Sequence, residues 1–405
     1  MQKIKIGIIK EGKVPVDHRV PLTPQAAKQL VEKFDNVEVL CQASTVRCYE
    51  DSEYKKLGIR VVDRVDDCDV LMGVKEVPIT DLIEGKTYFF FSHTTKKQPY
   101  NRELLRAILK KNIRLVDYEN LTNIHGERIV AFGRYAGIVG AYNGVLTYGK
   151  RYNLFDLKPA HQCFDMAEMQ REYAKVKLPP IKIVLTGGGR VAKGAMEVLD
   201  GMGIRKINPS ELVSTTVNEA VYAQLNTEDY NVHKEGRSFD REEFYANPQN
   251  YRSNFLQYAQ AANLFIAGAF WDPKAPVLFT KKDALDQSFS IRVIADITCD
   301  IEGSIPSTKK PSTIDHPIYD YNPQNDAVVD FFSDENNITV MAVDNLPCEL
   351  PRNASEDFGK DLLNNVMGAL LGDDAERIIQ RATIAENGEL TPKYKYLQDY
   401  VEGKS

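Results

Sequence analysis

Short runs of apolar and β-branched residues alternate along this chain with stretches in which apolar positions recur every three or four residues. The short runs predict strands over 3–9, 37–41, 69–74, 87–92, 113–117 and 128–132, and again at 264–270, 291–298 and 338–344. Between them lie helical patterns. One spans 24–34 and opens on Leu22-Thr23-Pro24, where Thr23 can cap and Pro24 suits the first helical turn. Strands alternating with helices predict an α/β protein whose parallel sheets carry helices on both faces. The stretch 133–150, rich in Gly, Ala and Tyr at helical spacing, predicts a helix packed closely against another element and crossing between domains. A second crossing helix is expected at 355–371, opened by Ser355 with acidic residues in its first turn. Two crossings imply that the end of the chain returns to the first domain. The polar, aromatic segment 213–262 reads as an insertion with helical pieces; it is too aromatic to be disordered.

One junction carries specific chemistry. In IKIVLTGGGRVAKGAMEVL, residues 181–199, a strand pattern ends in three glycines and becomes a helix pattern. Gly187 permits a sharp turn, Gly189 lets backbone amides approach a pyrophosphate, and Ala192 supplies the small residue for close helix–strand contact. The helix then points free N–H groups and a positive dipole at the phosphates. The plain alternative is a tight turn with no ligand. Read as a nucleotide loop, the junction restricts the chemistry to a nicotinamide or flavin cofactor. The expected fold is two Rossmann-like, doubly wound parallel-sheet domains separated by a cleft. The first comprises 1–135 plus 346–405 and binds substrate. The second, 136–345, binds the dinucleotide and carries the insertion at about 213–262.

Composition narrows the class. With 405 residues, 43% hydrophobic and 27% charged, the chain has the make-up of a soluble globular protein large enough for two cores. A net charge of −6 gives no bulk attraction to nucleic acid or membrane. The six cysteines are scattered with no CxxC pair, so neither a metal site nor a disulfide scaffold is expected. The first residues, MQKIKIGIIK, form a strand pattern rather than a signal peptide, and no apolar run is long enough to span a membrane. The expected compartment is the cytoplasm.

Polar groups cluster at the ends of predicted strands, where parallel sheets place their sites. Lys75 ends DVLMGVK, His93 ends TYFFFSH, Asp296 and Asp300 bracket the end of IRVIADITCD, and Asp344-Asn345 end TVMAVDN. Taken singly, a strand-end Asp or Asn is more often a cap, a strand-end Lys is more often solvated, and His93 serves equally well to satisfy a backbone group. One Lys, one His and several carboxylates at strand ends are more informative together. Arg19 lies in the loop after the first strand, a natural place for a bidentate clamp on a substrate carboxylate, or simply a surface arginine.

These residues and their surroundings resemble the saccharopine dehydrogenases that form L-lysine and the related lysine–2-oxoglutarate reductase domains, with alanine dehydrogenase and transhydrogenase as more distant cousins. The resemblance runs through HRVPLTP (18–24), GVKEVP (73–78), FFSHTTKKQ (90–98), RIVAFGRYAG (128–137), the glycine motif, IADITCDIEGSI (294–305), DNLPCELPRNASEDFGKDLL (344–363) and GELTPKYKYLQ (388–398). It implies a reversible reaction: saccharopine, NAD(P)+ and water give L-lysine, 2-oxoglutarate and NAD(P)H. It makes Lys75 and His93 the acid–base pair, groups that can titrate near neutrality as the steps require. Lys13 and Arg19 match positions at the substrate carboxylates; Lys96 and Gln98 follow His93 close to substrate and nicotinamide. Gly189 and Arg190 match the pyrophosphate loop, and Ile297, Thr298, Asp300, Asp344, Asn345 and Leu346 match positions lining the nicotinamide end. Arg134 departs from the fungal pattern, which has an aromatic residue there, and could add a carboxylate clamp. Asn208 stands about 20 residues beyond the first glycine, where an NAD-specific site carries an acid. With Arg205 and Lys206 before it and Glu211 slightly late, both NAD and NADP remain open. The alternatives are an alanine dehydrogenase or opine-type enzyme on the same scaffold, and a non-catalytic dinucleotide sensor. The expected partners are small-molecule substrates.

Overall fold

The computed structural model of the chain describes residues 3–404, which divide into two compact units: 3–132 with 351–404, and Gly133–Leu350. The boundaries expected from the sequence were 135 and 345.

The first unit is built on β1 (Ile4–Ile8), β2 (Val37–Gln42), β3 (Arg60–Val62), β4 (Val70–Met72), β5 (Thr87–Phe90) and β6 (Arg114–Asp117), all parallel. Alternate side chains enter two cores. Val70, Met72 and Phe89 join the helices Pro24–Lys33 and Pro351–Asn365 on one face; Leu71, Tyr88 and Phe90 join Leu104, Leu105 and Ile108 on the other. Burial on both faces is why these strands read as unbroken apolar runs. Two late strands, β17 (Thr383–Glu386) and β18 (Glu389–Leu390), extend the sheet antiparallel beyond β6, giving the order β18-β17-β6-β5-β4-β1-β2-β3. The predicted helix start holds: the Thr23 side chain accepts from the Ala26 amide, and Pro24 opens the helix.

The second unit repeats the plan. β7 (Lys182–Thr186), β8 (Arg205–Lys206), β9 (Val221–Leu225), β12 (Leu264–Ala267), β13 (Val293–Asp296) and β16 (Ile338–Met341) are parallel. A hairpin of β14 (Ile318–Asn322) and β15 (Ala327–Val329) adds antiparallel edge strands, in the order β15-β14-β16-β13-β12-β7-β9-β8. A small separate hairpin pairs β10 (Asn231–His233) with β11 (Tyr251–Ser253). The helix Gly133–Arg151 crosses Arg190–Gly201 at very close range. A Cβ at Gly137 would overlap the Val191 carbonyl oxygen, and one at Gly194 the Arg134 carbonyl oxygen. Backbone meets backbone there because both helices present a glycine.

Four expectations are corrected. Residues 128–132 form no strand: after the turn at Asn123–Gly126 only Arg128 bridges, and the free edge of β6 is taken by β17. The helix expected from Ser355 begins at Pro351. Ser355 is therefore a buried interior residue whose hydroxyl accepts from the Val20 amide, and a break at Val366 separates Met367–Leu371. The segment 213–262 is not all insertion, since β9 pairs directly with β7 in the sheet. The helix Gly133–Arg151 lies wholly within the second unit instead of crossing. Among the described residues no helix is long and apolar enough to cross a membrane.

Candidate active site

In the first unit the carboxyl ends of β1, β4 and β5 gather a charged cluster. After β4 the chain runs Gly73-Val74-Lys75-Glu76. Glu11, from the loop after β1, grips this segment: its two carboxylate oxygens accept the Val74 amide at 2.6 Å and the Lys75 amide at 2.9 Å. Burial pushes the Glu11 carboxyl up to about 7, against the lowering effect of those amides. Lys75 is half-buried, and its ammonium is pulled below the ordinary lysine range, first by burial and then by the Arg19 charge.

Glu76 is the hub of the cluster. It is buried, with one oxygen 2.7 Å from His93 Nδ1 and the other 2.6 Å from Lys13 Nζ. Burial alone would raise its pKa, but the hydrogen bonds from His93 and Lys13 outweigh burial and hold the carboxyl at about 2. A carboxylate accepts, so His93 carries its proton on Nδ1 and keeps Nε2 for other work. The imidazole is aimed by the backbone. His93 sits in the left-handed region at φ 52°, which His tolerates better than most residues, and its ring stacks on Phe91.

Arg19 is nearly fully buried. Its guanidinium forks Asp17 at 2.9 and 2.6 Å and lies 4.2 Å over the Phe132 ring. The expected clamp therefore already holds a carboxylate from its own loop. Lys96, on the turn after His93, is half exposed and 3.5 Å from Glu119. Gln98 accepts the Tyr100 hydroxyl with its side chain and the Tyr400 hydroxyl with its carbonyl. The Tyr118 hydroxyl is buried with no hydrogen-bond partner among the described residues.

In the second unit the ends of β7, β12, β13 and β16 share one sheet edge. Gly187 turns the chain at φ +107°, with the Gly268 carbonyl so close that a side chain would collide. Gly189 caps the helix Arg190–Gly201, and space is open where its Cβ would be. The Thr186 hydroxyl, buried next to the turn, has no partner among the described residues. An open glycine, a helix N-terminus and an unsatisfied hydroxyl fit a pyrophosphate. After β13, Ile297 fills the space over Gly140, while Thr298 donates its amide and hydroxyl to the buried Asp296. Asp300 follows in the same loop, its carbonyl accepting the Gly303 amide. After β16, Asp344 is exposed, Asn345 half-buried and Leu346 buried. Asn208 caps the helix Pro209–Ser214, its amide donating to Glu211 at 2.9 Å. Arg190 is the first residue of its helix. Arg134 belongs to this unit, where its guanidinium forks Glu197 at 2.8 and 2.6 Å.

Sequence reasoning brought forward Lys13, Lys75 and His93, and Glu76 links Lys13 to His93. It passed over Glu11, Asp17, Glu76 and Glu119, all acids that anchor a named cation or its backbone. Glu76 was detectable as the neighbour of Lys75, but its partners come from β1 and β5 and only folding brings them in. Among the described residues no group of His, Cys, Asp and Glu side chains is placed to hold a metal ion.

Comparison with known proteins gives the family context. Residues 7–139 match the alanine dehydrogenase/PNT N-terminal domain, and residues 160–395 match the alanine dehydrogenase/PNT C-terminal domain. An alpha-aminoadipic semialdehyde synthase of Arabidopsis thaliana is 30% identical over 97% of this chain, which spans only 41% of that relative. A saccharopine dehydrogenase [NAD(+), L-lysine-forming] of Emericella nidulans is 26% identical, covering 90% of this chain and 91% of its own. A solved L-alanine dehydrogenase shares the fold at a TM-score of 0.64 and 17% identity, covering 98% of this chain and 99% of its own. The chain belongs to the alanine dehydrogenase/PNT family.

Proposed function

We propose that the chain is a nicotinamide-dependent oxidoreductase that interconverts saccharopine with L-lysine and 2-oxoglutarate. The observation that carries the reading is Glu76, which holds His93 and Lys13 beside a lysine of lowered basicity. The likeness to lysine-forming saccharopine dehydrogenases and aminoadipic semialdehyde synthases supports the choice of substrate. A bound NAD or NADP would supply the hydride acceptor. The glycine turn and Arg190 would hold its pyrophosphate, and Ile297, Thr298, Asp300, Asp344, Asn345 and Leu346 would line its nicotinamide end.

In the oxidative direction the secondary amine of saccharopine must lose a proton. Lys75, neutral at lower pH than an ordinary lysine, accepts it. Water must then add to the imine carbon and the carbinolamine must collapse. His93 serves both steps through Nε2, because Glu76 fixes Nδ1 as the donor. Glu76 stays ionised throughout, so it stabilises the imidazolium without competing for the proton. Lys13 and Lys96 supply positive charge for the substrate carboxylates, and Arg19, braced by Asp17, adds a fixed guanidinium.

The test is oxidation of NADH and NADPH with L-lysine plus 2-oxoglutarate, run beside pyruvate plus ammonia. We expect turnover only with lysine and 2-oxoglutarate. Turnover with pyruvate and ammonia alone would make the chain an alanine dehydrogenase. Nucleotide binding without turnover in either arm would point to a different amine or keto acid.

A further inference from the structure

His93 holds its left-handed conformation between two fully buried residues, Ser92 and Thr94. A side chain other than glycine keeps that backbone only where its surroundings fix it. Asp117 is the group that does so. It ends β6, lies opposite Phe90 in the parallel register with β5, and is fully buried. One of its oxygens accepts both the Ser92 amide at 3.0 Å and the Ser92 hydroxyl. With its own proton committed there, Ser92 Oγ accepts from the Thr94 hydroxyl at 2.8 Å and the Thr94 amide at 3.3 Å. Both neighbours of His93 are thereby tied to one carboxylate.

The second Asp117 oxygen accepts the Glu119 amide at 2.7 Å. That bond anchors the turn Tyr118–Asn120, whose Glu119 meets Lys96 at 3.5 Å. Lys96 belongs to the turn that follows His93. No cation pairs with Asp117 among the described residues, and each of these partners is a donor to it. Burial pushes its pKa up, against the lowering effect of those hydrogen bonds. A buried anion without a cation is a costly way to hold two turns. Both turns deliver residues to the charged cluster, and an amide group could not accept on both oxygens.

We propose that Asp117, acting through Ser92 and Thr94, is a positioning residue that fixes the His93 imidazole for proton transfer. The proposal rests on the acid–base reading of His93 and adds the group that aims it.

The test compares Ser92→Ala, Asp117→Asn, His93→Gln and the Ser92→Ala/His93→Gln double variant of the full chain in lysine- and 2-oxoglutarate-dependent oxidation of reduced nucleotide. Ser92→Ala, which keeps the buried carboxylate and its backbone bonds, should lower kcat by about tenfold, and Asp117→Asn by about a hundredfold. In the double variant the Ser92→Ala loss should vanish, because a residue that acts through His93 has nothing left to aim. The imidazole nitrogen signals of His93, identified by their loss in His93→Gln, report the same placement without turnover. They should show one tautomer, protonated on Nδ1, in the wild type, and averaging of both in Ser92→Ala. A Ser92→Ala loss that persists in full on the His93→Gln background, or a His93 tautomer unchanged in both Ser92→Ala and Asp117→Asn, would overturn the proposal while leaving His93 in the chemistry. Near-normal turnover by His93→Gln would remove the acid–base reading and the proposal together.

Discussion

The two units are close to duplicates in architecture and opposite in the chemistry of their strand ends. Each has an eight-stranded, mainly parallel sheet with its site-forming loops at the carboxyl edge. In the second unit β7 passes into its helix through three glycines, residues 187–189, so the connection presents backbone amides and a helix terminus. In the first unit β1 is followed by a long loop, residues 9–23, before the helix at Pro24. That loop carries Glu11, Lys13, Asp17 and Arg19, and side chains do the work. The length of one connection thus decides whether a doubly wound sheet presents backbone amides or charged side chains at a strand end.

The contrast is broken most severely at Lys75. Lys75→Met should lower kcat/KM by about 10²–10⁴-fold while nucleotide affinity, which the proposed function assigns to the other unit, stays unchanged. A near-normal rate would remove Lys75 from the chemistry. Next in size is the backbone contact of the second unit. Gly137→Ala places a methyl group against the Val191 carbonyl and should cost about 1–3 kcal/mol or more by overpacking, read as a lower denaturation midpoint.

Glu11→Gln sharpens the comparison, because only a carboxylate can accept both the Val74 and the Lys75 amides. An amide group would turn one N–H against another. The expected cost is about 1–3 kcal/mol of stability, together with reduced turnover.

The same cluster should leave two opposite marks on stability against pH. The folded pKa of Glu76, about 2, lies below its ordinary 4.5, so its contribution is present above 4.5 and lost as pH falls toward 2. The folded pKa of Glu11, about 7, lies above its ordinary 4.5, so its contribution is present below 4.5 and lost as pH rises through 7. Glu76→Gln should flatten only the acid window and Glu11→Gln only the neutral one, measured by denaturation at each pH. The smallest effect is expected from Arg134→Ala. Its partner Glu197 is a half-exposed carboxylate, so stability should change by under about 1 kcal/mol and the KM for 2-oxoglutarate should not move. A raised KM would return Arg134 to the substrate.

Much of this protein could be read directly from the chain. Strands buried on both faces leave continuous apolar runs, so β1, β2, β4, β5, β12, β13 and β16 were visible. The glycine turn was visible because its chemistry is local: three small residues between a strand and a helix. Lys75 and His93 stood out as polar residues ending apolar runs. The short or pairing-dependent strands did not. β3, the β14–β15 hairpin and β17–β18 have weak patterns of their own and exist because an open sheet edge accepts them, while 128–132 looks like a strand and finds no edge left.

The sequence by itself therefore determined the class of fold, the glycine turn and the cations at the strand ends, since each is encoded within a few consecutive residues. Only the tertiary structure decided the anions that tune them. Glu11 meets Val74 and Lys75, and Glu76 meets Lys13 and His93, because β1, β4 and β5 lie side by side in the sheet. The burial that lowers Lys75 and raises Glu11 likewise belongs to no single segment. It arises where separate strand ends converge and exclude water.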